Sequence, residues 1–148
     1  MKIIIINGPN LNLLGKRDKK LYGALTLKKI NSFIEKAFPK DNLTFFQSNI
    51  EGEIVTQIQN AVKKYDGIII NPGGYAHTSV AIRDALADST LPKIEVHLSN
   101  LSSRENLRQI LLTASVCEGY MSGFKENSYT AAVYLLHKKM FITSCELI

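Results

Sequence analysis

Short apolar runs and helically spaced apolar residues alternate along the chain, and this alternation is the main guide to its fold. Lys2–Asn7 (KIIIIN) and Gly67–Ile70 (GIII) are continuous β-branched runs bounded by turn residues, a pattern typical of strands that are buried on both faces of a parallel sheet. Between them, apolar side chains recur at helical spacing over residues 27–38 and 54–65, which predicts two amphipathic helices. Thr26 is placed to cap the first of these helices.

The rest of the chain continues the same alternation. Further helices are predicted to begin near Ser79 and, with Ser128 as a cap, at Tyr129. Further strands are predicted at Leu43–Gln47, Lys93–Leu98 and Cys117–Met121. After the Lys93–Leu98 strand we expect a helix whose inner face contains Leu107, Ile110, Leu111 and Ala114. Roughly five βα units without internal repeats predict an α/β fold, a flavodoxin-like doubly wound five-stranded parallel sheet with helices on both faces.

The composition restricts the class of protein but does not identify the binding partner. A chain of 148 residues that is 45% hydrophobic is predicted to form a single domain over residues 1–148. Without an apolar run of about 20 residues or a signal peptide, we expect a cytoplasmic protein that does not enter a membrane. Cys117 and Cys145 are too few for a disulfide framework. The net charge of +5 fits a nucleic acid, a small anionic substrate or a solvated lysine face equally well.

Polar residues gather where the predicted strands end, and open α/β sheets bind ligands at this edge. Asn71, Gly73, Gly74 and His77 follow one buried strand, and the two glycines allow positive φ or a close approach of the backbone to a ligand. Side chains in a strand alternate between its faces, so Glu95 and His97 are predicted to point the same way and interact. Ser99 and the pair Arg104 and Arg108, one helical turn apart, come next in the chain.

The loop at about residues 8–25 is long for a connection between a strand and a helix. It has turn residues at both ends and contains Lys16, Arg17, Lys20 and Tyr22. Long loops in compact domains are commonly functional, so we predict that this loop is an active-site lid.

Several cofactor-binding motifs are missing from the sequence. Six residues separate Gly8 from Gly15, and Arg17 follows Lys16, whereas a phosphate-binding loop has four residues between its glycines and a Ser or Thr after its lysine. No G-x-G-x-x-G or G-x-S-x-G motif is present, and the histidines lack metal-ligand spacing. We therefore expect neither a metal nor another cofactor. His137, beside two lysines, is interpreted as a solvated surface residue.

Four long segments, in this order, closely resemble the type II 3-dehydroquinate dehydratases: NGPNLNLLGKRDKKLYG, QSNIEGEI, IIINPGGYAHTSVAIRDAL and IEVHLSNLSSRENLR. The resemblance implies conversion of 3-dehydroquinate to 3-dehydroshikimate in the shikimate pathway, by loss of water through an enolate. It implies that Tyr22 is the base and His97 the general acid. Arg17 would favour the phenolate form of the tyrosine, and Glu95 would orient the histidine.

The resemblance also implies how the substrate is held and how the chain assembles. The backbone N–H groups of Leu98 and Ser99 would bind the substrate carboxylate, and Asn10 would place a water that stabilises the enolate. Asp84 would reach the site of a neighbouring subunit in trimers that assemble into a dodecamer. The remaining substrate-binding positions would be Asn71, Gly73, Gly74, His77 and Arg108.

The chain departs from the family pattern near its last helix. Lys125 and Ser128 stand where glycines are usual, so the turn before that helix is expected to differ.

Two other classes of function compete with the enzyme. A nucleotide- or flavin-binding module of the same fold is disfavoured by the missing phosphate loop. A nucleic-acid-binding protein is disfavoured because the lysines are dispersed, without an aromatic-basic stripe.

Overall fold

A five-stranded parallel sheet forms the centre of the molecule, as the alternation of elements predicts. The computed structural model describes the backbone of residues 1–145 and the side chains of residues 1–139. The strands pair in the order β2-β1-β3-β4-β5, so the chain winds in one direction from β1 to β2 and in the other from β3 to β5. The strands are β1 (Lys2–Asn7), β2 (Asn42–Gln47), β3 (Gly67–Asn71), β4 (Lys93–His97) and β5 (Gly119–Ser122).

Helices connect the first four strands, and helices cover both faces of the sheet. Thr26 and Ser79 cap two of them, with side-chain oxygens that accept from the backbone N–H groups of Lys29 and Ile82. No helix in the described part of the chain is long and apolar enough to cross a membrane. The helices are α1 (Lys19–Tyr22), α2 (Leu27–Ala37), α3 (Glu51–Ala61), α4 (Val80–Asp88) and α5 (Asn127–Cys145).

The alternation of side chains along β1 divides the core into two layers. Ile3 and Ile5 pack in one cluster with residues of α2 and α5, and Ile4 and Ile6 pack in another with residues of α3 and α4. All four isoleucines are at most 1% exposed. At about 25 cal/mol per Å² of buried apolar surface, each fully buried side chain of this size contributes roughly 1.5–3 kcal/mol. The flavodoxin-like doubly wound sheet is thereby confirmed.

The helix predicted after β4 does not form, and this prediction was wrong. The segment contains three short 3-10 turns, Leu101–Ser103, Asn106–Gln109 and Ala114–Val116, while Leu107 and Ile110 are 61% and 55% exposed. Hydrogen bonds from other elements explain the difference. The backbone N–H of Leu112 donates to the carbonyl of Ala76, and the carbonyl of Ile110 contacts the His77 ring. A helix would use these backbone groups internally.

The last strand and helix are also shifted from their predicted positions. The strand is Gly119–Ser122 instead of Cys117–Met121, and the helix starts at Asn127 instead of Tyr129. Ser128 lies inside the helix, and its hydroxyl donates to the carbonyl of His97 over 3.1 Å. The side chain predicted to cap the helix therefore fastens it to β4.

His137 is half-buried rather than a solvated surface residue, which corrects the sequence interpretation. Its Nε2 lies 2.7 Å from Oδ2 of Asp41, whose other oxygen binds the amino group of Met1 at 2.6 Å. Burial alone would raise the pKa of Asp41, but the hydrogen bonds from Met1 and His137 hold it below its usual value. Helical spacing could not reveal this contact, because Asp41 lies in the turn before β2, 96 residues away in the chain.

The hydroxyl of Tyr129 joins the carboxyl ends of β1 and β3. Tyr129 is fully buried, and its hydroxyl donates to Oδ1 of Asn7 over 2.6 Å and accepts from Nδ2 of Asn71 over 2.9 Å. Burial raises the pKa of the phenol, although the Asn71 hydrogen bond opposes this. The protonated form that donates to Asn7 is therefore the stable one.

We expect Tyr129→Phe to lower the free energy of unfolding by about 1–3 kcal/mol, because two buried amide groups lose their partner. Guanidinium denaturation at a fixed protein concentration measures this change. The control is Tyr134→Phe on the exposed face of the same helix, which should change stability by less than about 0.5 kcal/mol. An equally small effect of Tyr129→Phe would contradict a structural role for its hydroxyl.

Candidate active site

A pocket opens where β1, β3 and β4 end, at the side of β1 where the winding direction reverses. Ligand sites of open α/β sheets lie at this kind of position. Each of the three strands contributes the residues that follow it, and the β1–α2 connection (residues 8–25) adds an arginine and a tyrosine. The pocket is lined by Pro9, Asn10, Leu11, Arg17, Tyr22, Asn71, Gly73, Gly74, His97, Leu98, Ser99, Leu101, Arg104 and Arg108.

One wall is built around the phenol oxygen of Tyr22, the last residue of α1. The Arg17 guanidinium donates to this oxygen over 3.0 Å and lies 3.9 Å from the centre of the ring. Arg104, from the segment after β4, donates to the same oxygen over 3.3 Å. Burial alone would lower the pKa of Arg104, but its bonds to Tyr22 and Glu105 raise that pKa. The phenol oxygen is thus held as an acceptor between two permanent cations.

A second part of the pocket wall carries the predicted pair on β4. Nε2 of His97 lies 2.7 Å from Oε1 of Glu95, as the strand alternation predicts. The hydroxyl of Thr113 donates to the other carboxylate oxygen over 2.5 Å. Glu95 and Thr113 are fully buried, whereas His97 lines the pocket. The carboxylate fixes the ring through Nε2, which leaves Nδ1 for a ligand.

The turn after β3 forms the floor of the pocket. The side chain of Asn71 accepts from the backbone N–H of Gly73 over 3.2 Å and donates to Tyr129, so its orientation is fixed. Gly73 has φ +61, and a Cβ there would lie 3.0 Å from the carbonyl oxygen of Pro9. Only glycine fits this close approach without strain. Gly74 has open space where a side chain would be.

Asn10 begins the loop after β1 in the left-handed conformation, at φ 66. Asparagine tolerates this conformation better than most residues. Its backbone N–H donates to the side chain of Asn49 over 3.0 Å. Asn10 also lines the pocket.

His77 does not line the pocket, but its ring stacks on that of His97 with the ring centres 6.3 Å apart. Its Nδ1 lies 2.7 Å from the carbonyl oxygen of Ile110, and a carbonyl only accepts, so Nδ1 carries the hydrogen. Burial lowers the pKa of His77; the Ile110 bond opposes this, and the charge of Arg108 adds to the lowering. Its Nε2 is buried without a hydrogen-bond partner among the described residues.

The rim beyond β4 is positively charged and suits an anion. Arg104 and Arg108 are bridged by Glu105, with Nε–carboxylate distances of 3.2 and 2.7 Å. The Glu105 side chain is 54% exposed. Its own backbone N–H and then the hydrogen bond from Arg108 lower its pKa to about 2. Leu98 and Ser99 lie between this rim and His97.

The structure brings together most of the residues that the sequence selected. Glu95 and His77 stand directly behind the lining, in contact with His97. Asp84 lies outside the pocket, pairs with Arg83 and is 60% exposed. No group of three His, Cys, Asp or Glu side chains within the described residues could hold a metal ion.

Sequence reasoning missed three side chains that shape the site. Arg104 stands out only as a charge near Arg108, and its contact with Tyr22 spans 82 residues. Thr113 lies in the segment assigned to a helix that does not form. Tyr129 reads as an ordinary apolar position of α5, although its hydroxyl orients Asn71.

Comparisons with known proteins identify the family to which this chain belongs. The family model for dehydroquinase class II matches residues 1–137. A 3-dehydroquinate dehydratase of Clostridium perfringens (strain SM101 / Type A) is 52% identical over 141 residues, which cover 93% of this chain and 97% of the relative. A 3-dehydroquinate dehydratase of Campylobacter jejuni (serotype O:2, strain NCTC 11168) is 52% identical over 135 residues, covering 90% and 85% of the two chains.

A solved structure extends the agreement to three dimensions. The type II dehydroquinase of Butyrivibrio crossotus DSM 2876 superposes with a TM-score of 0.90 at 44% identity, over 93% of this chain and 97% of that one. The family model, both relatives and the solved structure each match at least nine-tenths of the chain. The chain therefore belongs to the class II dehydroquinase family.

Proposed function

We propose that this chain is a 3-dehydroquinate dehydratase, a hydro-lyase that eliminates water from 3-dehydroquinate to give 3-dehydroshikimate in the shikimate pathway. Its relatives at about 50% identity bear that name. The observation that carries the mechanism is the pocket itself. A phenol held by two guanidinium groups lies on one wall, and an imidazole backed by a buried carboxylate lies on another.

The elimination proceeds in two proton transfers. Tyr22 removes a proton from C2, next to the C3 ketone, and the electron pair of that C–H bond moves into an enolate. The enolate expels the C1 hydroxyl while His97 delivers a proton to the leaving oxygen. Water departs and a double bond forms between C1 and C2. Because the proton at C2 and the hydroxyl at C1 leave in separate steps, Tyr22 can act as the base and His97 as the acid.

The contacts of Tyr22 support its role as the base. A phenol must lose its proton before it can accept one, and nearby positive charge favours the phenolate form. Arg17 and Arg104 both donate to its oxygen, and charge-assisted hydrogen bonds of this kind are the strong ones. Tyr22 is only half-buried, so the oxygen reaches the pocket.

The contacts of His97 support its role as the acid. Glu95 binds Nε2 and fixes the orientation of the ring. Thr113 occupies the second oxygen of Glu95, so each oxygen of the buried carboxyl group has a hydrogen-bond partner. The proton on Nδ1 is then available to the leaving hydroxyl.

The positive rim supports binding of the substrate carboxylate. We assign the carboxylate to the backbone N–H groups of Leu98 and Ser99, with Arg108 beside them, since anions bind where backbone donors precede a helical turn. Asn71, Gly73 and Gly74 would hold the ring hydroxyls. Asn10 would place the water that stabilises the enolate.

The proposal also covers the domain, its lid and its assembly into oligomers. We take residues 1–148 as one catalytic domain that works in the cytoplasm, with residues 8–25 as its lid. We further propose trimers that assemble into a dodecamer. The exposure of Asp84 outside its own pocket supports a contact with a neighbouring subunit.

The central experiment follows the conjugated enone absorbance when purified, chelator-treated protein meets 3-dehydroquinate. We expect the wild type to turn over with and without chelator, because the charged groups lining the pocket are arginines instead of metal ligands. Tyr22→Phe and His97→Ala should each reduce kcat by about 10²–10⁴-fold, the usual contribution of a general acid or base.

Tyr65→Phe serves as the control and should keep wild-type turnover. Tyr65 precedes β3 and so lies at the amino ends of the strands, away from the pocket at their carboxyl ends. A variant of Tyr22 or His97 that retains more than a tenth of the activity would remove that residue from the mechanism. A folded wild type without turnover would reject the enzyme and favour a binding module of the same fold.

His77 gives a second prediction, on pH dependence. Burial keeps its folded-state pKa below the ordinary 6.5, so below pH 6.5 the unfolded chain binds a proton that the folded chain does not. The contribution of His77 to stability should therefore be constant above that pH and fall as the pH decreases through this range.

Two measurements check this, an NMR titration of the ring and the difference in unfolding free energy between the wild type and His77→Asn. The asparagine amide can still donate to the Ile110 carbonyl, so the difference isolates the titration. A ring that titrates at or above 6.5, or a difference independent of pH below 6.5, would refute the prediction.

A further inference from the structure

Lys125 has an unusual backbone conformation for its residue type. It lies in the turn between β5 and α5 with φ 53, and within the described residues the only other non-glycine residue with positive φ is Asn10. Asparagine is among the residues that visit the left-handed region. Lysine is not, so strain at Lys125 needs compensation from its surroundings.

The side chain of Lys125 contacts the short helix that ends in Tyr22. Its Nζ donates to the backbone carbonyl of Leu21 over 2.7 Å and also to that of Lys20. These carbonyls belong to the last turn of α1, where helical partners run out. A cation is favourable at a helix C-terminus. Lys125 therefore satisfies the carbonyls of the two residues that directly precede Tyr22.

The backbone of the same turn is fastened to the strand that carries His97. The N–H of Lys125 donates to the carbonyl of Leu98 over 3.2 Å, and the N–H of Gly123 donates to that of His97 over 3.3 Å. The hydroxyl of Ser128 adds a bond to the His97 carbonyl. One residue thus spans the distance between the end of β4 and the end of α1.

We propose that Lys125 is a positioning residue for Tyr22, which holds the helix of the base at a fixed distance from the strand of the acid. This inference rests on the proposed function for its catalytic consequence, but not for its structural one. The left-handed turn aims the lysine at α1, and the two carbonyl bonds compensate for the strain.

Three substitutions separate the contact from the strain. Lys125→Met keeps the chain length and the strain but loses the donors. Lys125→Gly loses the donors and relieves the strain. Lys125→Arg keeps a cationic donor. Lys28→Met, at an exposed position of α2, is the control for loss of a lysine charge.

Kinetics on 3-dehydroquinate give the first readout. Lys125→Met and Lys125→Gly should both lower kcat about tenfold, because a displaced base reacts poorly. KM should change less than about twofold, since the proposed substrate ligands are untouched. Lys125→Arg should recover at least half of the wild-type kcat, and Lys28→Met should match the wild type. Lys125→Gly should be more thermostable than Lys125→Met, because glycine relieves the strain. An equal loss of kcat in both variants would then not be due to misfolding.

Hydrogen exchange at the amides of Tyr22 and Gly23 is a readout independent of activity, because these amides donate to the carbonyls of Asp18 and Lys19 at the start of α1. Exchange should accelerate about tenfold in the methionine and glycine variants but not in the arginine variant. Wild-type exchange and kcat in both variants would overturn the proposal. An inactive wild type whose exchange still depends on Lys125 would reject the proposed function and retain the positioning role.

Discussion

The buried carboxylate of Glu95 is the constraint on which the rest of the site depends. A charge with no exposure inside a sheet is stable only if both of its oxygens are hydrogen-bonded. His97 occupies one oxygen and Thr113 the other. Thr113 lies in the segment after β4, which forms no helix because its backbone groups bond to Ala76 and His77 instead. The resulting irregular segment also carries Arg104 and Arg108 to the pocket and the Ile110 carbonyl to His77.

The proposed acid, His97, and the proposed base, Tyr22, are held in different ways. His97 is part of the sheet and is fixed by buried contacts, whereas Tyr22 ends a four-residue helix in a long connection. Four residues cannot form a stable helix alone, so the position of the tyrosine depends on groups outside it. Arg17 and Arg104 hold the phenol oxygen, and Lys125 holds the carbonyls of the helix. Positively charged side chains thus hold both the phenol oxygen of Tyr22 and the helix that carries it.

The sequence predicts what local patterns determine. Buried strands, capped helices and the shared face of Glu95 and His97 follow from periodicity, and the fold class follows from their order. What the sequence does not reveal are contacts between distant segments. Arg104 meets Tyr22 across 82 residues, and Lys125 meets Leu21 across 104. The segment around Thr113 shows the limit most clearly, because hydrogen bonds of its backbone to Ala76 and His77 outweigh its helical spacing.

The division of labour between Tyr22 and His97 can be tested most directly by following deuterium from D₂O into C2 of 3-dehydroquinate. The enolate mechanism predicts that His97→Ala still incorporates deuterium at C2 while it fails to release water, because the base remains and the acid is missing. Tyr22→Phe should do neither. Deuterium incorporation by Tyr22→Phe at the wild-type rate would contradict the account, since another group would then be the base.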